Sequence, residues 1–265
     1  MIVFQNETVV VFQSSLYQTT STMIDAETSL LLIDPGWLPE EVCEIQSYVA
    51  AIRRGRPLYL LFTHSDFDHI IGYGAFPDAV VIASAAFTNH PAKDFPLKQI
   101  HDFDKKYYLK RSYPILYPEV ECAVANDGET MKIGNRMLTF YLAPGHTNDG
   151  LVTVIEPGGI LVAGDHLSDV EFPFIFDNYE SYQKTINKIK KIIDSGNIEL
   201  LIPGHGSVTN SMEDIQQRVN QSIHYLQSLK QSEDCEDALR EQYEFFEGMK
   251  DTHLHNVREA AKKEK

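Results

Sequence analysis

The stretch "THSDFDHIIG", Thr63 to Gly72, places two histidines and two aspartates within six positions, from His64 to His69. Imidazole and carboxylate are the expected ligands of zinc, iron and manganese. Three further pieces carry the same residue types: "APGHT" with His146, "AGDH" with Asp165 and His166, and "PGHG" with His205. Taken singly, a "GD" or a "PGH" reads as an ordinary turn. Taken in order, all four directly follow runs that predict strands. A strand end gives a ligand a rigid base, and the loop after it can admit a substrate. Glycines in several of the pieces let backbone approach an ion closely. The chemistry to expect is metal-assisted.

The elements that would position these pieces are legible in outline. "TVVVFQ", "SLLLID", "LYLLFT" and "AVVIAS" read as strands in the first part of the chain, and "DPGW" turns the second of them. A helix over about 39 to 54 carries Val42, Ile45, Val49 and Ile52 at helical spacing, with Gly55 to stop it. "MKI" and "MLTFYL" flank a turn at Gly134-Asn135, and "LVTVIE", "ILVAG" and "IELLI" follow. Tyr182, Ile186, Ile189 and Ile193 mark a helix over 179 to 193, with Gly196 as its cap. From 211 the chain reads as amphipathic helices through "IQQRVNQSIHYLQSLK" and "ALREQYEFFEGM", and "AAKKEK" reads as a frayed end. Residues 85 to 126 show prolines and aromatics with little periodicity and read as an inserted segment. Two packed sheets with helices outside fit this order. No linker stands out, so one domain over 1–265 is expected.

Bulk properties narrow the function. Of 265 residues, 43% are hydrophobic, enough for a substantial core. The formal charge of -15 argues against nucleic acid or an anionic membrane as a general partner. Cys43, Cys122 and Cys235 are odd in number, far apart and in no CxxC pair, so neither a disulfide framework nor a cysteine zinc site is expected. Reduced thiols fit a cytoplasmic location. "MIVFQNETVVVFQSS" lacks a basic leader region, and no apolar run has the length of a membrane span.

With "LLIDPG", "THSDFDH", "APGHT", "GD" and "PGHG" in that order between about Ser29 and Gly206, the chain resembles the metallo-β-lactamase-fold hydrolase superfamily, glyoxalase II-like members included. The resemblance implies an α+β fold, a four-layer αββα sandwich with the metal site at one edge. It implies that His64, His146 and the residue at position 66 face one metal, that Asp68, His69 and His205 hold a second, and that Asp165 bridges the two. The implied cofactors are two divalent metal ions: zinc, iron or manganese. A hydroxide between them would attack a carbonyl or phosphorus centre, with Asp68 as the catalytic residue that orients the nucleophile or takes up a proton. The implied substrate is a small thioester, lactone or phosphoester.

Position 66 departs from the family's HxHxDH pattern, which has histidine where this chain has Asp66. The spacing is kept, so a ligand swap is the simplest reading. Two divalent ions bring four positive charges. Asp66, Asp68, Asp165 and a hydroxide cancel them, which weakens the ions as Lewis acids and favours iron or manganese over zinc. The flavodiiron proteins are similar in having a carboxylate here, but no flavodoxin-like pattern follows residue 206. If Asp66 binds nothing, His64, His146 and Asp165 leave a facial triad suited to mononuclear iron. That resembles the persulfide dioxygenases and is the second reading. A binding protein with a degenerate site is the third.

Other residues have weaker claims. His166 would reach the substrate, support a ligand or simply pack, and Thr147 would orient a neighbouring ligand. Lys93, Lys98, Lys105, Lys106, Lys110 and Arg111 form a solvated face or a lid that grips an anionic substrate. "VEFPFIFDNY" is a second wall of the site or part of the core. His224 reads as structural. His253 and His255, two apart, would face different sides of a helix. No motif places His90 or His101.

Overall fold

In the computed structural model, residues 1–231 and 235–262 are described. A seven-stranded sheet runs in chain order through β1 (Ile2–Gln5), β2 (Val9–Gln13), β3 (Thr20–Asp25), β4 (Leu30–Ile33), β5 (Leu58–Leu61), β6 (Val80–Ser84) and β7 (Cys122–Val124). A five-stranded sheet holds β8 (Thr130–Ile133), β9 (Arg136–Leu142), β10 (Leu151–Glu156), β11 (Ile160–Gly164) and β12 (Leu200–Pro203), ordered β12-β11-β10-β9-β8. Strands β4 to β7 pair in parallel, as do β11 and β12, and the remaining neighbours are antiparallel.

Alternation along the strands builds the layers. Val9, Val11, Leu31 and Ile33 of the first sheet meet Leu138, Phe140, Ile155 and Val162 of the second in one buried cluster. Their neighbours Val10, Phe12, Leu30 and Leu32 face outward, onto Val42, Ile45 and Val49 of helix α1 (Pro39–Arg53). On the outer face of the second sheet, Leu161 and Leu201 pack with Tyr182, Ile186 and Ile189 of α5 (Tyr179–Asp194) and Val219 of α6 (Met212–Gln231). Side chains on successive positions of a strand point to opposite faces. Strands buried on both faces therefore read as continuous apolar runs. The expected αββα sandwich is what the chain forms.

Several expectations need correction. The segment 85–126 is not irregular throughout: it holds α3 (Ala85–Thr88), α4 (Asp94–Tyr107) and β7. Only Pro96 and Ile100 of α4 are buried, and its many exposed polar residues left little apolar stripe to read. Strand β3, "TSTMID", lacks an apolar run in the sequence because its first half is all Ser and Thr. "ALREQYEFFEGM" is not one helix but two, α7 (Glu236–Gln242) and α8 (Phe246–Ala261). Of "AAKKEK", expected to be frayed, the first two residues are helical: α8 runs through Ala261 with Ala260 buried, and residues 263–265 lie outside the described residues.

Candidate metal centre

All four pieces leave a strand at the same edge of the sandwich. Thr63–His69 follows β5 and opens α2 (Phe67–Ile70); His146 follows β9, Asp165 follows β11 and His205 follows β12. There the side chains form two groups, His64 with Asp66, His146 and Asp165, and Asp68 with His69 and His205, each with its ligand atoms within 4.8 Å of one another. Asp165 reaches both groups. Its Oδ2 lies 3.1 Å from His146 Nε2 and 3.3 Å from His205 Nε2, and its Oδ1 lies 3.1 Å from His69 Nε2. Asp66 turns inward: its Oδ2 is 3.1 Å from His146 Nε2 and 3.7 Å from His64 Nε2. Asp68 Oδ2 lies 3.6 Å from His69 Nε2 and 3.4 Å from His205 Nε2.

Each imidazole is held from behind at Nδ1, which leaves Nε2 for the centre. His146 donates to the Phe174 carbonyl at 2.9 Å and His205 to the Tyr17 carbonyl at 2.9 Å. His69 donates to Asp34 Oδ2 at 3.1 Å. His64 donates to Thr63 Oγ1 at 3.0 Å, and that hydroxyl donates to Asp34 Oδ2 at 2.5 Å. Fixing the far nitrogen sets both tautomer and ring direction, as a metal-binding histidine requires. The backbone must also make room. A Cβ on Gly204 would stand 2.2 Å from Asp165 Oδ1, so only glycine lets the carboxylate occupy its place.

Electrostatics show a centre short of positive charge. Burial raises the pKa of Asp165, but His205, His69 and His64 outweigh it and hold the carboxyl well below its usual range. Burial likewise opposes ionisation of Asp66, and the His146 and His64 rings overcome it and lower its pKa. At His205 burial disfavours charge, yet Asp165 and Glu171 push the pKa up to about 10. For His146, Asp165 and Asp66 outweigh burial and raise the pKa well above the ordinary value. The carboxylates thus demand cations, which protons on the rings or divalent ions can supply. His64 Nε2 and Asp165 Oδ1 are buried and accept or donate no hydrogen bond, as ligand atoms kept for an ion would be. The donor set fits divalent metal.

A family comparison decides the relationship. The model of the metallo-beta-lactamase superfamily matches residues 15–205. The chain belongs to that superfamily. Among curated proteins, this superfamily member is 26% identical over 165 residues to the bovine (Bos taurus) "Acyl-coenzyme A thioesterase MBLAC2", a match that covers 57% of this chain and 56% of the relative. The chain thus spans little more than half the length of that relative. It is 25% identical over 203 residues to "Metallo-beta-lactamase type 2" of Bacillus cereus, covering 74% of this chain and 70% of that one. A solved structure, "Metallo-beta-lactamase from Pontibacter korlensis", superposes with a TM-score of 0.61 at 17% identity, over 86% of this chain and 98% of the other. At that identity the likeness speaks for the fold.

For this superfamily member, the other expected residues divide. His166 donates from Nδ1 to the Ala163 carbonyl at 2.9 Å, packs on the Tyr182 ring, and is buried with its pKa lowered to about 4 by desolvation. It is a packed neutral histidine. Thr147 Oγ1 is buried with no hydrogen-bond partner, so it orients no ligand. "VEFPFIFDNY" divides between both expected roles: Phe174 and Phe176 line the cavity over the ligand groups, while Phe172 and Ile175 join the core, against which Phe174 also packs. The basic residues of 91–120 do not reach that cavity, whose lining holds no Lys or Arg. Lys98 pairs with exposed Asp102, and Arg111 is buried between Asp104, Tyr113 and the Trp37 carbonyl. Phe103 of α4 stacks behind Trp37, which in turn meets Phe67 at the cavity. Through Phe103 the segment braces the wall of the cavity. His253 is buried against Tyr225 and His255 bonds the Ile175 carbonyl from the surface side; His224 is exposed.

Three supporting residues carried no assigned role in the sequence: Asp34, Glu171 and Tyr17. Asp34 stood inside the quoted "LLIDPG", and its φ of 46° is the signal of a constrained backbone that only the structure displays. Glu171 lies 3.9 Å from His205 Nδ1, and burial pushes its pKa up to about 6.

Proposed function

We propose that this chain is a metal-dependent hydrolase of an ester-like bond, a thioester first, with lactones and phosphoesters behind it. The carrying observation is Asp165, whose two oxygens reach histidines of both groups at 3.1 to 3.3 Å. His64, Asp66, His146 and Asp165 would hold one ion, and Asp68, His69, His205 and Asp165 the other. Two divalent ions supply a water-derived nucleophile at neutral pH and polarise the scissile carbonyl or phosphoryl group.

The chain's own residues supply the rest. Asp34 and the Phe174 and Tyr17 carbonyls keep the rings aimed inward. Asp68 has Thr19 Oγ1 as a hydrogen-bond donor at 3.4 Å and stands at the cavity, placed to orient the nucleophile or accept its proton. Phe67, Phe174 and Phe176 keep one side of the cavity apolar. The thioester is favoured because the bovine relative is named a thioesterase. Asp66, turned toward both histidines, supports a carboxylate ligand and counts against the mononuclear dioxygenase reading, which needs position 66 to stand away. Its hard oxygen favours iron or manganese beside zinc. Free thiols at Cys43 and Cys122 fit the cytoplasmic location, and no helix among the described residues is long and apolar enough to cross a membrane.

The test is metal content of protein purified without chelator, followed by turnover of acyl thioesters, lactones and phosphodiesters. Two ions per chain and thioester turnover are expected. His69→Ala should retain its circular dichroism and lose turnover by at least about a hundredfold. Turnover that survives chelation and His69→Ala, or one iron per chain with oxygen uptake, overturns the proposal.

A further inference from the structure

A groove of about 520 Å³ opens beside the metal centre, between Ser15–Gln18, the pair Val170 and Glu171, and the segment from Glu244 to Met249 at the start of α8. That volume lies within the usual range of small-molecule sites. It adjoins the cavity over the ligand groups, with Tyr17 and Glu171 lining both. Both residues also touch His205, Tyr17 through its carbonyl at 2.9 Å and Glu171 through Oε1 at 3.9 Å. The groove thus lies one side chain away from a candidate ligand.

The lining has two characters. Tyr17, Val170, Phe245 and Met249 are apolar, and Tyr17 and Phe245 leave 62% and 53% of their surface exposed. Large exposed aromatics that cluster at a concave site mark a place where apolar surface is buried on binding. The charged lining is acidic: Glu171, Glu244 and Glu247, beside neutral Ser15 and Gln18 and with no Lys or Arg among the lining residues. Arg240 neutralises Glu247 from outside at 2.8 Å, which leaves Glu171 and Glu244 facing the groove. A limb bearing a carboxylate or phosphate would be desolvated beside like charges, an arrangement that rejects it.

We propose that this groove is an acyl-chain subsite: it takes an apolar limb that carries no negative charge. The proposal rests on the hydrolase reading for its catalytic consequence and deepens it. The anionic part of a coenzyme-type leaving group lies elsewhere. Each methylene moved from water into the groove raises kcat/KM by about fourfold.

Gly248 gives a clean perturbation. It lines the groove, and a Cβ added there meets no atom within 4 Å, so the fold accepts a side chain at this position. The experiment uses thioesters of one neutral leaving group, N-acetylcysteamine, on the full metal-replete chain. Octanoyl should exceed acetyl by at least about tenfold in kcat/KM. The 7-carboxyheptanoyl thioester should fall at least about tenfold below octanoyl. Gly248→Leu should lower the octanoyl-to-acetyl ratio, and Glu244→Lys should raise the ratio of the carboxylated substrate to octanoyl. In parallel, calorimetry compares octanamide with the amide of the same length ending in a carboxylate. The first should bind and the second bind at least about tenfold more weakly, with Gly248→Leu weakening octanamide. If no thioester turns over, the thioester reading fails and calorimetry alone decides the groove. Equal acetyl and octanoyl rates, equal binding of the two amides, or indifference of both readouts to Gly248→Leu overturns the subsite.

Discussion

The two ligand groups share Asp165 but are built differently behind their rings. In the second group all three side chains are buried, and His69 rests directly on the Asp34 carboxylate at 3.1 Å. In the first group Asp66 keeps a third of its side chain exposed, and His64 meets Asp34 only through the Thr63 hydroxyl. A charged acceptor strengthens a hydrogen bond from an imidazole and raises its basicity as a ligand more than a neutral one does. One carboxylate thus serves both groups, strongly on one side and by relay on the other. The second group is the anchored one, and at the first, which faces the Phe174 and Phe176 wall, a bound ion would be more open to exchange and to substrate.

The sharpest way to break this comparison is Asp34→Asn. Asp34 accepts from three donors: the Thr63 amide at 2.9 Å, the Thr63 hydroxyl at 2.5 Å and His69 Nδ1 at 3.1 Å. Asparagine offers one acceptor and must turn its amino group toward donors on the other side. The expected result is about a 10- to 100-fold loss of metal affinity at the second group, a smaller loss at the first, and about 1–3 kcal/mol lower stability of the metal-free protein. Competition with a chromophoric chelator and thermal unfolding read these. Unaltered affinity at both groups would mean that Asp34 only closes the turn after β4.

Thr63→Val sharpens the same contrast with a smaller effect. It keeps the side-chain shape and the amide bond to Asp34, and it removes the relay to His64. About tenfold weaker binding is expected for one ion, with the other unaffected. A two-step metal titration separates them, and equal weakening of both steps would erase the asymmetry argued above.

Much of this centre was legible because ligands sit where the sequence punctuates itself. An apolar run followed by Thr-His, Gly-His or Gly-Asp locates a strand end from a few letters, and "LVTVIE" and "ILVAG" are β10 and β11 residue for residue. The supports were not legible, for a physical reason. Asp34 serves His69 only because β4 and β5 pair in parallel with Ile33 beside Leu61, and pairing register is not written locally. The Phe174 and Tyr17 acceptors are backbone carbonyls, which every residue possesses. Helix α4 was hidden because two buried positions make no stripe, and the break between α7 and α8 because Tyr243, Phe245 and Phe246 fit a helix as well as a turn.

Asp66→His tests the open side of the comparison and should have the mildest effect on occupancy. Asp66 Oδ2 sits within 3.1 Å of His146 Nε2, so an imidazole at this position can face the same space from the same backbone. The change replaces a hard anionic donor with a borderline neutral one and adds one positive charge to the occupied centre. Metal preference should move toward zinc over manganese by roughly tenfold, with the shift confined to the first group. Affinity ratios for the two metals, measured in wild type and variant, read it directly. Because Asp34 and Thr63 are untouched, the second group should keep its affinity. A preference that stays put would show that Asp66 balances charge near the site without binding the ion, and the asymmetry would then rest on Asp34 alone.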